Sequence, residues 1–137
     1  MKLAEIITNV KGLDLPEGSY IVFGAGPLAA AGIRETNDID LYVTAAVQAQ
    51  KLKEGWQFLD KGGRDIPLVH DIFEMHINWN FGTAYNPSFT ELQATTKIIE
   101  GVPFASLIEV YKWKVASARP KDLADIALID AYLACAK

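Results

Sequence analysis

One cysteine, two histidines and two methionines are all that this 137-residue chain contains of those residues. A lone Cys135 excludes an internal disulfide and a thiolate metal cluster. Two histidines without cysteine partners make a poor zinc set, although His70 and His76 are expected to face the same side of one extended segment. Positive charge is not in excess: 13 Lys and Arg stand against 17 Asp and Glu, a formal net charge of -4. That balance argues against a broad electrostatic grip on nucleic acid. No apolar run approaches the length of a membrane span. The first ten residues carry Glu5 within helical spacing rather than an unbroken apolar stretch, so no targeting segment is expected and a cytoplasmic, non-membrane protein is the default. Half the residues are hydrophobic, enough for one ordinary domain with a real core spanning 1–137.

Apolar periodicity orders the chain. Leu3, Ile6, Ile7 and Val10 mark an amphipathic opening helix. Residues 20–23 are β-branched or aromatic and read as a buried strand, followed by a glycine turn and a short helix from Pro27 that Gly32 ends. Residues 38–43 form a second strand, and 45–53 a helix. Two short edge strands are expected at 56–60 and 66–70 around the Lys61-Gly62-Gly63-Arg64 turn. Over 72–79, Phe73, Met75, Ile77 and Trp79 alternate with Ile72, Glu74, His76 and Asn78, predicting one apolar and one mostly polar face. A loop follows over 80–88, and 95–104 reads as a hairpin turning at Glu100-Gly101. Ser106 can cap a helix to about Ala118, with Glu109 placed to complete a capping box. Arg119 precedes a proline and should break that helix. Pro120 then opens a last helix through Leu133. The fold class is α+β, a mixed sheet flanked by helices with two helices at the C-terminal end.

Three constellations carry chemistry. Asp38 and Asp40 are two apart in a strand, so both carboxylates project from one face. They lie close in sequence to Gly24, Ala25 and Gly26, a turn whose backbone amides can hold phosphate. Paired carboxylates repel, and a divalent cation relieves the repulsion. Gly24-Ala25-Gly26 followed by Pro27, Leu28 and Ala29 formally matches a dinucleotide fingerprint. The early stop at Gly32 leaves no room for the long helix that such a fold requires, so a nicotinamide oxidoreductase is a distant reading. Glu74 is the candidate third carboxylate, with His76 as runner-up and Asp71 on the wrong parity. Finally, Lys114, Arg119, Lys121, Asp122 and Asp125 combine phosphate-binding cations with carboxylates able to orient them. The bland readings are solvated strand ends for the aspartates, an exposed strand position for Glu74, and surface ion pairs for the last group. Trp56, Trp79 and Trp113 read as core or edge packing, and Tyr42 as core.

Phe23-Gly24-Ala25, then Asp38-Ile39-Asp40-Leu41, resembles the paired motif of the nucleotidyltransferase superfamily of the polymerase-β type: a hydrophobic-Gly-Ser or Gly-Gly turn and an Asp-hydrophobic-Asp strand. The run from Gly32 to Asp38 is similar to small stand-alone members, including the toxin-like group allied to abortive-infection systems. The 112–126 segment is similar to that group's C-terminal helical motif. Ala25 and Glu74 depart from the usual Ser or Gly and from the usual Asp. The resemblance implies a nucleotidyltransferase-like fold and transfer of a nucleoside monophosphate from a nucleoside triphosphate to an acceptor hydroxyl. It implies Mg²⁺ or Mn²⁺ on Asp38, Asp40 and Glu74, with Lys114 catalytic and Gly24, Ala25, Gly26, Arg34 and Arg119 around the nucleotide. The acceptor stays open, and a second subunit or another protein is the candidate to complete so small a cleft. A nucleotidyltransferase-fold binding or regulatory module without catalysis is the alternative.

Overall fold

A computed structural model describes residues 1–135. Its centre is a mixed seven-stranded sheet in the order β3-β4-β5-β2-β1-β7-β6. β1 (Tyr20–Phe23) and β2 (Ile39–Val43) pair antiparallel, joined by the five-residue α2 (Gly26–Ala30). β5 (Phe73–His76) runs parallel to β2, and β7 (Val102–Phe104) runs parallel to β1. β3 (Gln57–Phe58), β4 (Leu68–His70) and β6 (Lys97–Ile99) add antiparallel edges. Six helices are present among the described residues, two of them C-terminal. Of these, none is long and apolar enough to cross a membrane.

Period-two alternation divides the interior into two layers. Val22, Ile39, Leu41, Phe73 and Met75 turn to one face, where α1 (Leu3–Gly12) contributes Ile6, Ile7 and Val10, and α3 (Ala45–Lys53) contributes Val47. Ile21, Phe23 and Tyr42 turn to the other, under α5 (Leu107–Ser117) and α6 (Pro120–Cys135), with Val110, Trp113 and Ile129 packed against them. Asp40 and Glu74 share parity with this second set.

Local chemistry explains most element ends. Glu100 and Gly101 both take positive φ, 49° and 82°, the geometry of a two-residue hairpin turn. Ser106 Oγ accepts the Glu109 amide, but the capping box stays half made: the Glu109 carboxylate accepts instead from the Tyr85 hydroxyl at 2.6 Å. α5 ends in left-handed Ala118, before Arg119 and Pro120. α4 (Phe89–Gln93) was not expected, although Ser88 and Glu91 form a complete capping box there.

Two expectations for the middle of the chain fail. The strand expected over 72–79 stops at His76, after which Trp79 swings into the second core layer and Ile77 is exposed. His70 and His76 lie on different strands and opposite faces. His70 packs beside Trp56 with ring centroids 5.1 Å apart, while His76 stands edge-on to Trp79 and Phe81.

Candidate functional site

A cleft of about 710 Å³ opens over the second face of the sheet, at the C-terminal end of β1 and the start of β2. It gathers Gly24, Ala25, Asp38, Asp40 and Glu74 from the sheet side, and Arg34, Lys114 and Arg119 from the helical side, where Arg34 is bonded to α6. Of the sequence candidates for metal, nucleotide and catalysis, Gly26 is missing from its walls, and Asp122 lies behind the helical wall, fully buried. Gly26 is buried at the start of α2, where a Cβ would stand 2.4 Å from Val22 Cγ1. Its role is close helix–strand packing, and Gly24 and Ala25 are the turn residues that face the cleft.

The acidic wall follows from register. Asp40 on β2 is paired with Phe23 on β1 and with Glu74 on β5. Side chains at directly paired positions of neighbouring strands lie on one side of the sheet, so the two carboxylates are lateral neighbours. Asp38 precedes the strand, and its backbone is tied to the Thr36 hydroxyl, which donates to Asp38 O at 2.9 Å. Gly24 has φ 61°, and a Cβ there would meet Asp40 Oδ2 at 2.1 Å. Only glycine lets the turn close so tightly over the carboxylate. Burial, with Glu74 and Asp38 adding repulsion, pushes the Asp40 carboxyl up to about 7, although Lys61 works against the rise. Asp40 is thus short of positive charge.

The basic wall is built from α5, α6 and the loop after α2. Asp125 accepts two bonds from Arg34, Nε at 2.8 Å and Nη2 at 2.9 Å, and also pairs with Lys114 Nζ at 2.9 Å. Asp122 takes Arg119 in the same two-pronged way, at 2.7 and 3.0 Å, and lies 3.4 Å from Lys114. Burial pushes the Asp122 carboxyl up, but hydrogen bonds from Arg119 outweigh it and hold the group at about 2. Asp125 is lowered by Arg34 and Lys114 against the same burial penalty. The two aspartates therefore orient the cations, as expected from their spacing. Lys114 is buried between them, its ammonium 4.6 Å from the Trp113 ring centre. Arg119 is 39% exposed and keeps guanidinium donors that Asp122 does not use.

Lys61, Asp65 and the aromatic floor of Trp79, Phe81 and Trp113 also line the cleft. Lys61 Nζ bonds Glu74 Oε1 at 2.7 Å, the contact that sequence reasoning missed because it joins a hairpin tip to a neighbouring strand. His76 is unsuited to act as a base at neutral pH: burial pulls it down to about 4. Tyr42 is core, with its hydroxyl donating to Pro87 O.

Asp38, Asp40 and Glu74 offer only hard oxygen donors, the chemistry that suits Mg²⁺ or Mn²⁺, and the charge-deficient Asp40 fits a cation. Among the described residues no three acidic, histidine or cysteine side chains are grouped to grip one ion, and Glu74 is held by Lys61. No family model, curated protein or solved structure matches the chain.

Proposed function

We propose that the protein is a nucleotidyltransferase with a nucleotidyltransferase-like fold, moving a nucleoside monophosphate from a nucleoside triphosphate to an acceptor hydroxyl. The observation that carries this reading is the Asp40–Glu74 register, which sets paired carboxylates opposite Arg34 and Arg119 across one cleft. Its volume falls within the range of small-molecule sites. Asp38, Asp40 and Glu74 would hold Mg²⁺ or Mn²⁺, which when bound neutralises phosphate charge and lowers the pKa of the acceptor hydroxyl.

The chain's own groups have distinct tasks in such a reaction. Ala25, with its backbone at the glycine turn, faces the phosphates. Arg119 offers its remaining donors to phosphate oxygens, already oriented by Asp122, so little order is lost on binding. Arg34 is likewise fixed by Asp125. Lys114, sequestered by two aspartates, contributes field and support to that wall. The acceptor oxygen–α-phosphorus bond forms as the bond to pyrophosphate breaks, and pyrophosphate leaves.

A second reading, a nucleotide-binding module without catalysis, is favoured by the Lys61–Glu74 pair and by the lack, among the described residues, of a preformed three-carboxylate group. Calorimetry with nucleotide and Mg²⁺ tests binding, and pyrophosphate release tests transfer. Binding without release selects the module.

A further inference from the structure

Among the ion-paired cations of the cleft, Lys61 has a different partner from the rest. Arg34, Lys114 and Arg119 are paired with aspartates of α6, whereas Lys61 reaches the acidic wall itself. Its ammonium lies 2.7 Å from Glu74 Oε1, within charge-assisted range, and the Glu74 side chain is only 13% exposed. The charge of Lys61 is also felt at Asp40. Lys61 therefore holds Glu74 by direct contact and acts on its register neighbour Asp40 through charge alone.

The segment that delivers Lys61 is bonded mainly to itself. Lys61 N donates to Asp65 O at 2.9 Å, Asp65 N to Gly62 O at 3.0 Å, and Gly62 N to Asp60 Oδ1 at 2.9 Å. This tip between β3 and β4 approaches β5 at two polar points, Lys61–Glu74 and Asp65–His76, and the second is 3.8 Å long. The Lys61–Glu74 contact, at 2.7 Å, is the shorter of the two. Lys61 itself is 40% exposed on a flexible four-carbon stem, so releasing Glu74 requires only side-chain motion.

We propose that Lys61 is an internal counter-cation: in the free protein it holds Glu74 of the Asp40–Glu74 carboxylate pair, competes with a divalent ion for that carboxylate, and releases it when the ion binds. This rests on the metal site of the proposed transferase and adds its regulation. The site is latched by the protein's own charge until the ion arrives.

The test titrates Mn²⁺ alone into the full chain, reading free ion by electron paramagnetic resonance, for wild type, Lys61→Met, Lys61→Arg and Asp40→Asn. Met keeps the stem at an exposed hairpin tip, so the fold is retained. Lys61→Met should bind Mn²⁺ about tenfold tighter than wild type, the scale of one partly buried ion pair, with Lys61→Arg close to wild type. In parallel, amine acylation read by mass spectrometry should show Lys61 becoming more reactive on Mn²⁺ addition while Lys114 stays protected. Lys61→Met no tighter than wild type, or Lys61→Arg as tight as Lys61→Met, overturns the counter-cation. In either case weakened binding by Asp40→Asn leaves the metal site standing. Unchanged Lys61 labelling at saturating Mn²⁺ overturns displacement. Mn²⁺ binding by none of the four proteins overturns both the latch and the metal site.

Discussion

Asp125 on the last helix holds Arg34, 91 residues earlier in the chain, through two hydrogen bonds of 2.8 and 2.9 Å, while pairing with buried Lys114 at 2.9 Å. One carboxylate thus ties the loop leading into the acidic strand to the helical wall opposite it. Asp125→Asn removes that charge while Lys114 remains buried. Stability should fall by about 3 kcal/mol, measured by urea denaturation, because buried Lys114 then keeps only Asp122, at 3.4 Å and shared with Arg119. Lys114→Met combined with Asp125→Asn should cost less than the sum of the two single changes, as a double-mutant cycle will show.

Gly24→Ala should be among the most damaging single changes. Its φ of 61° strains any other residue, and the added methyl meets Asp40 Oδ2 at 2.1 Å. We expect a loss of about 2 kcal/mol in chemical denaturation together with weakened nucleotide binding. Gly62→Ala, with positive φ but nothing within 4 Å of the added methyl, should cost only the backbone part.

Stability should respond to pH in two opposite senses. Asp40 sits at about 7 in the folded chain, above its ordinary value, so its contribution is fully present below about pH 4 and is lost as pH rises through 7. Asp122 sits at about 2, below its ordinary value, so its contribution is present above about pH 4 and is lost as pH falls through 2. Thermal melts without divalent ions should therefore show a decline between about pH 4 and 7 that Asp40→Asn removes, and an acid limb that Asp122→Asn removes.

Trp79 and Trp113 line the cleft, whereas Trp56 lies in the core layer across the sheet. Nucleotide binding should quench intrinsic fluorescence. Trp113→Phe should lose much of the response, and Trp56→Phe should keep it.

What was legible in the sequence was whatever depends on neighbours in the chain. Parity put Asp40 and Glu74 each on the face of its own strand opposite the apolar alternates, because alternation within short strands needs no tertiary information, and the register between the strands then brings the two together. Glu100-Gly101 and Ser106 announced their turn and cap through φ preference and a hydroxyl. Contacts formed across the fold were not legible. Lys61–Glu74 depends on where a hairpin tip lands, and Arg34–Asp125 on how the last helix docks. Trp79 misled because the alternation from Phe73 continues in sequence after the strand has ended at His76. Glu109 misled because Tyr85, brought in by a distant loop, took the carboxylate that a capping box would use.

The central claim is transfer chemistry at Asp40, and pyrophosphate release tests it most directly. Wild type and Asp40→Asn would each be incubated with the four nucleoside triphosphates, Mg²⁺ and a cell extract supplying acceptors. The account predicts release by wild type with at least one nucleotide, reduced about a hundredfold or more in Asp40→Asn. Equal release by both proteins, or release by neither, would contradict it.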